Sequence, residues 1–540
     1  MNDAAEPVIT KKTLAHAEKL LGLTFTDAER ELMLEGLNRR LDALRSLRSL
    51  TLDPAVPPAV QFDPRLPGMA PDTQQQPLRA SRVASLQRPE NLEDVAFYPV
   101  TKLAQLLRTR QLTSSELTTM YLKRLKRFDP HLKCVVTLTE ERALAQAKQA
   151  DAQIAAGNYR GPLHGIPWGA KDLIAVQGYP TTWGAMPYKD QVIDLDATVV
   201  QRLDAAGAVL VAKLTSGALA YGDVWFGGTT KSPWNLEDGA SGSSAGPASA
   251  TAGGLVGFSI GSETLGSIVS PSTRCGTTGL RPSYGRVSRF GVMALSWSMD
   301  KLGPICRAVE DCALVFDAIR GSDGKDSSAI DLPFNWDAAK PVSQLQVGYV
   351  KSAFEEEHDA KDFDEASLAA LKALGVDPIA IELPQLPEHG YEALRLVLVA
   401  EAAAAFDELT RSDRDDLLVR QDKDAWPNIF RMARLMPAVE YIQANRVRVL
   451  LMQQMAELMK RIDVYVCPSF GANTLILTNL TGHPAVVLPN GFSKQGTPAG
   501  SLTFTGNLYA EANALRLAKA YQDATGFHEK RPEMAYAAED

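Results

Sequence analysis

The chain opens on a helical pattern of apolar and polar positions. Residues 8–50 read as a helical hairpin, whose first helix covers about 11–21 and stops at Gly22, a residue suited to a left-handed C-terminal cap. Thr26 followed by Glu29 is a capping box that starts the second helix. Met33, Leu34, Leu37, Leu41 and Leu44 form its apolar stripe. A pair this short buries little by itself, so the pattern predicts packing on the main body or on a partner chain. The next segment, 51–80, holds Pro54, Pro57, Pro58, Pro64, Pro67, Pro71 and Pro77, which predicts an extended wrapping arm or linker.

The pattern changes near residue 90. Helical spacing covers about 100–127, with Ser114 or Ser115 and Glu116 near one helix start, and again 139–156. Short apolar runs at 209–214 (VLVAKL), 345–350 (LQVGYV), 464–468 (VYVCP) and 484–489 (PAVVLP) read as buried strands. Strands alternating with helices predict an α/β fold, a sheet with helices on both faces. Residues 390–460 are a long helical insertion carrying Trp426, Phe430, Met436 and Tyr441, each of which, taken singly, reads as core. The chain thus divides into a hairpin (1–50), a proline-rich arm (51–90) and a main body (91–540).

Composition narrows the class. Of 540 residues 45% are hydrophobic, ample for a large core, and a net charge of −8 argues against a general nucleic-acid binder. The five cysteines, Cys134, Cys275, Cys306, Cys312 and Cys467, are odd in number and show no CxxC spacing. Neither a disulfide framework nor a zinc site is expected, and a reducing, cytoplasmic setting is the simpler reading. The start, MNDAAEPVIT, has no signal-peptide pattern, and no apolar run is long enough to span a bilayer, so no membrane association is expected.

The chemistry concentrates in Gly239–Gly279, dense in Gly, Ser, Thr and Ala, with Glu263 and Arg274 its only charges. The apolar core LVGFSI at 255–260 separates it from a disordered linker. Two readings stand: backbone packed around a reaction centre, where hydroxyls and N–H groups converge, or a glycine-rich structural turn. Upstream, LHGIPWGAKD at 163–172 sets Lys171 among apolar and small residues, where desolvation lowers a lysine's pKa.

These two stretches resemble the amidase signature family of Ser-cisSer-Lys hydrolases. Lys171 in HGIPWGAKD matches the family's catalytic lysine, Ser243 in SGSSAG its bridging serine with a cis peptide bond, and Ser267 in SETLGSI its nucleophile. CGTTGLRPSYGRVSRFG (275–291), MDKLGPICRAVED (299–311) and NLTGHPAVVLPNG (479–491) extend the likeness over roughly 95–525. The resemblance implies the amidase-signature fold, with a mixed central sheet, and a variable substrate wall within 390–460, to which Trp426, Phe430 and Tyr441 are assigned. The N-terminal hairpin resembles the small C-type component of aminoacyl-tRNA amidotransferases. Four positions depart from the family pattern: Glu263 stands for Asp, Leu265 for Gly, Val269 for Arg and Ala218 for Glu.

Amide hydrolysis needs a nucleophile, a base that later protonates the leaving amine, and donors for the oxyanion. A neutral Lys171 takes the proton through Ser243, Ser267 forms the acyl-enzyme, and the N–H groups of Thr264, Leu265, Gly266 and Ser267 supply the oxyanion hole. This chemistry needs no metal and no organic cofactor. The expected function is a stand-alone amidase acting on a small-molecule amide, with homo-oligomer formation left open. The alternatives are the A-type component of an aminoacyl-tRNA amidotransferase, a carbamate or ester hydrolase, and a catalytically silent assembly scaffold. Gly242–Gly246 also fits G-x-S-x-G, which would make Ser244 an elbow nucleophile, but a polar loop precedes it instead of a buried strand. A Cys–His enzyme built on Cys275 has no paired histidine signal, and His164 reads as structural.

Overall fold

Side-chain caps set the first helices, as their sequence predicts. In the computed structural model, which describes residues 8–50 and 52–536, helix Lys11–Leu21 ends on Gly22 at φ 65°. Thr26 and Glu29 cap one another's backbone N–H at the start of helix Asp27–Arg48. A 2.8 Å ion pair between Arg30 and the buried Glu18 joins the two helices. Met33, Leu34, Leu37 and Leu41 are only half-buried and Leu44 is exposed, so the stripe is not sealed against the body as its pattern predicts. Residues 1–7, at the outer edge of the predicted hairpin, lie outside the described residues, as do 51 and 537–540.

The arm makes the firmer attachment. Because proline has no N–H, its hydrogen bonds come from carbonyls, side chains and the intervening residues. The Pro54 carbonyl accepts from Trp297 Nε1 at 3.0 Å. The Phe62 ring lies 3.5 Å from the Arg448 guanidinium and meets Tyr284 edge-on at 5.1 Å. Farther along, Arg79 exchanges backbone hydrogen bonds with Trp336 and Ala338, and Ser81 N–H donates to Glu310 at 2.6 Å.

Among the described residues, eleven strands form one mixed sheet: β1 (Val135–Leu138), β2 (Pro167–Lys171), β3 (Val209–Leu214), β4 (Phe258–Glu263), β5 (Thr278–Arg281), β6 (Lys301–Cys306), β7 (Val347–Val350), β8 (Ile379–Ile381), β9 (Val464–Pro468), β10 (Ala485–Phe492) and β11 (Pro498–Gly506). Their spatial order is β1-β3-β2-β4-β6-β5-β10-β11-β9-β7-β8. β2 runs parallel to both β3 and β4, and β7 parallel to β8 and β9, while the remaining pairs are antiparallel. Helices flank the sheet, and Trp168 of β2 stacks on Phe258 of β4 within its core, ring centroids 6.1 Å apart.

The helical pattern over 100–127 resolves into two helices, Val100–Arg108 and Ser114–Leu132, separated by Arg110 at φ 58°. The capping box of the second belongs to Thr113 and Glu116; Ser114 and Ser115 instead donate their N–H groups to Asp151. The insertion is helical, with Gly390–Ala405, Trp426–Ala433 and Ala438–Met459 as its main helices.

Candidate active site

Lys171 is the last residue of β2, which runs between the parallel strands β3 and β4, and it is fully buried. Its Nζ lies 2.7 Å from Ser243 Oγ, 2.9 Å from Ser262 Oγ and 3.1 Å from Ser244 Oγ. Burial lowers its ammonium to about 7, against the partial opposition of the Asp300 and Glu263 charges. Three neutral hydroxyls and no ion pair therefore surround a lysine poised to lose its proton near neutrality. The next residue, Asp172, does the opposite and pairs with Lys213 of β3 at 2.7 Å, both side chains fully buried. That pair, with the Asp172 N–H bond to the Leu214 carbonyl, ties the end of β2 to β3.

The Gly242–Ser243 peptide is cis. Only glycine fits at 242, because a Cβ there would stand 1.9 Å from the Gly222 carbonyl oxygen. Ser244 then opens the fully buried helix Ala245–Ala252. The Ser244 hydroxyl donates to the Ser262 carbonyl at 3.0 Å and accepts from the Ser262 N–H at 3.2 Å. With the Lys171 contact added, it is a structural clamp on β4, and the elbow reading of Ser244 fails on that ground. The strand before it, Asn235–Gly239, pairs only in a small polar hairpin. His164 is likewise internal, accepting from the Arg160 N–H at 3.1 Å and packing on Gly207.

β4 delivers the turn that carries Ser267. Glu263, its last residue, accepts from the N–H groups of Ile268 (2.8 Å) and Val269 (3.0 Å) and from Arg281 and Asn479, each at 2.8 Å. Burial pushes this carboxyl up, but the Arg281 charge and the hydrogen bonds outweigh it and hold it at about 2. Thr264 Oγ1 donates to Asp300 at 2.5 Å, so a carboxylate anchors each end of the turn. The positive φ falls at Gly266 (84°). Among the described residues, the N–H groups of Leu265, Gly266 and Ser267 donate to no protein acceptor. Ser267 is 8% exposed, against 1% for Ser243 and 0% for Ser244, which makes it the most exposed residue of the three. The resting hydrogen bonds include the leg from Lys171 to Ser243 and not one from Ser243 to Ser267.

Ser243 and Ser267 line one cavity of about 320 Å³, together with Thr264, Leu265 and Gly266. Trp426 is on its wall, with its indole N–H bonded to the Leu219 carbonyl. Phe430 stacks behind Trp426 and is fully buried, and Tyr441 bonds Glu401 at 3.0 Å, so neither lines the cavity. The lining also holds residues the sequence did not single out: Tyr221, whose ring packs on Trp426, and Arg395, Leu398, Val399, Phe470 and Leu475. A second cavity of about 220 Å³ shares Ala220, Thr264 and Leu295 with the first, and Asp53, Pro54 and Pro57 of the arm contribute to its wall.

The family model of amidases matches residues 116–476, which include the lysine and both serines. The chain belongs to the amidase family. This amidase-family chain is 33% identical to the A-type component of the glutamyl-tRNA(Gln) amidotransferase of Acinetobacter baumannii, over 82% of its own length and 99% of the relative's. Among solved structures it resembles the native peptide amidase of Stenotrophomonas maltophilia (TM-score 0.71, 27% identity, covering 82% of this chain and 99% of that one). It also resembles a chain from a vestigial protein complex that bears on the origins of an s-triazine catabolic enzyme (TM-score 0.73, 26% identity, 79% and 98%). Fold class and amide-bond chemistry therefore agree with the sequence reading. No described helix is long and apolar enough to cross a membrane.

Proposed function

We propose that the chain hydrolyses a carboxamide through an acyl-enzyme on Ser267. Neutral Lys171 accepts a proton from the Ser243 hydroxyl as Ser243 accepts one from Ser267, and Ser267 Oγ attacks the carbonyl carbon. The missing Ser243–Ser267 hydrogen bond forms as substrate seats, since such contacts tighten only in the loaded complex. The N–H groups of the 264–267 turn receive the oxyanion. Collapse of the tetrahedral intermediate breaks the C–N bond, and the proton returns through Ser243 to the leaving amine. Water, deprotonated along the same route, attacks the acyl carbon and releases the acid and Ser267. The observation that carries this reading is Lys171 itself: fully buried, bonded to three hydroxyls, and facing Ser243 at 2.7 Å. In this reading the hairpin and arm are appendages of a catalytic body that starts near residue 91.

The names of the relatives favour a second reading, an amidotransferase component whose hydrolysis feeds a partner. Ammonia release by the purified full chain separates the two. Turnover of simple primary carboxamides by the chain alone supports the stand-alone amidase. Turnover confined to glutamine, rising when partner proteins are added, supports the second reading. Neither ammonia nor amine released from any amide under either condition would count against both.

A further inference from the structure

Of the side chains lining the cavity that holds Ser243 and Ser267, Arg395 is the only one that carries a charge near neutral pH. It lies in helix Gly390–Ala405 and is exposed. Among the described residues it makes no ion pair and no side-chain hydrogen bond. The nearby Glu392 is turned to His389, at 3.2 Å, and no carboxylate lines the cavity. The cavity it shares also has apolar lining: Leu398 and Val399 from the same helix, Leu475, Ile429 and the Trp426 ring. Phe470, more than half exposed, completes the rim. A guanidinium presents planar paired donors that suit a carboxylate, and an apolar approach to it suits a hydrocarbon spacer.

We infer that Arg395 is a specificity residue that binds an anionic group, a carboxylate, carried by the amide substrate across an apolar spacer from the scissile carbonyl. The inference rests on the reading that this cavity is where the amide is hydrolysed. It predicts discrimination between substrates of equal length that differ only in a terminal charge. Because the arginine is exposed, salt should weaken the effect.

The test uses binding to the full-length Ser267→Ala protein by calorimetry, which does not require turnover. One probe series is the monoamides of straight-chain dicarboxylates from succinate to suberate, each matched with the neutral primary amide of the same length. A second series places the carboxylate on the amine side, as N-acetyl ω-amino acids against N-acetyl alkylamines. In one series and at a preferred length, the charged member should bind about tenfold more tightly. Added salt should shrink the gap, Arg395→Gln should bring the ratio near one, and Arg395→Lys should restore part of it. In the parent, the preference should appear in KM more than in kcat. Equal affinity at every length, or a preference that survives Arg395→Gln, would overturn the inference. A charge preference in binding with no hydrolysis of any amide would keep the Arg395–carboxylate contact but remove the hydrolase reading, and with it the role of Arg395 in substrate choice. Hydrolysis without a charge preference would do the reverse.

Discussion

Glu263 and Arg281 meet at 2.8 Å in an ion pair buried from solvent on both sides, and the same carboxylate holds the two N–H groups that follow Ser267. The pair therefore links the sheet to the turn: Arg281 belongs to β5 and Glu263 closes β4. Where the family pattern has Asp, the longer Glu reaches around the turn to Ile268 and Val269. Removing one partner leaves the other buried and unpaired. Arg281→Met is expected to cost about 3–5 kcal/mol of stability and to lower kcat, measured by urea unfolding and steady-state kinetics. With its carboxyl at about 2 against an ordinary 4.5, Glu263 contributes stability that is fully present above about 4.5 and lost as pH falls through about 2. Acid titration of the parent should show this loss, and Glu263→Gln should lack it.

Lys171 sets the pH dependence of the reaction. Only its neutral form accepts the proton, and its ammonium is lowered to about 7. The plot of kcat/KM should therefore climb up to about pH 7 and level off above it. Lys171→Arg keeps the charge at all these pH values and should reduce kcat about a hundred- to ten-thousandfold. A pH profile flat between 5 and 8 would remove the lysine from its role.

The turn itself distinguishes two adjacent residues. A leucine at 265 strains the turn only if a left-handed backbone is needed there; that conformation falls instead on Gly266, at φ 84°. A Cβ at 266 would also come within 3.1 Å of Leu475. Gly266→Ala should then destabilise by about 1 kcal/mol and depress kcat. Leu265→Gly should remain active and accept bulkier groups beside the carbonyl, because Leu265 lines the cavity. Ratios of kcat/KM over a panel of small and bulky acyl amides measure this directly.

The arm matters more than the hairpin. Phe62 sits between Arg448 and Tyr284, and Pro54 and Pro57 line the cavity next to Thr264. Removing residues 1–50 should cost little stability, whereas removing 1–80 should lower both the melting midpoint and kcat. Phe62→Ala alone should cost about 2 kcal/mol, read from denaturant midpoints. Equal stability of the two truncated proteins would contradict this ranking.

What the sequence makes legible follows from how strongly each segment is patterned. Runs rich in β-branched and large apolar residues, such as VLVAKL and VYVCP, form strands with the predicted limits. β4 escapes sequence reading because Gly261, Ser259 and Ser262 dilute its apolar signal, although it is central and carries the turn. The Lys171 surroundings are readable because small and apolar neighbours imply desolvation. Glu263's grip on the turn is not, since it depends on Arg281 and Asn479, far along the chain. Arg395 gives no signal, because an exposed arginine on a helix looks like a solvated face until the fold places it on the cavity that holds the serines. The hairpin stripe predicts burial that the single chain does not supply.

In the proposed mechanism Ser267, and no other residue, carries the acyl group. The direct measurement is covalent labelling of the full-length protein with a serine-reactive fluorophosphonate, with the modified peptide mapped by mass spectrometry. One label is expected, on Ser267, abolished in Ser267→Ala and strongly slowed in Lys171→Ala. A label on Ser243 or Ser244, or labelling that persists unchanged in Ser267→Ala, would contradict it.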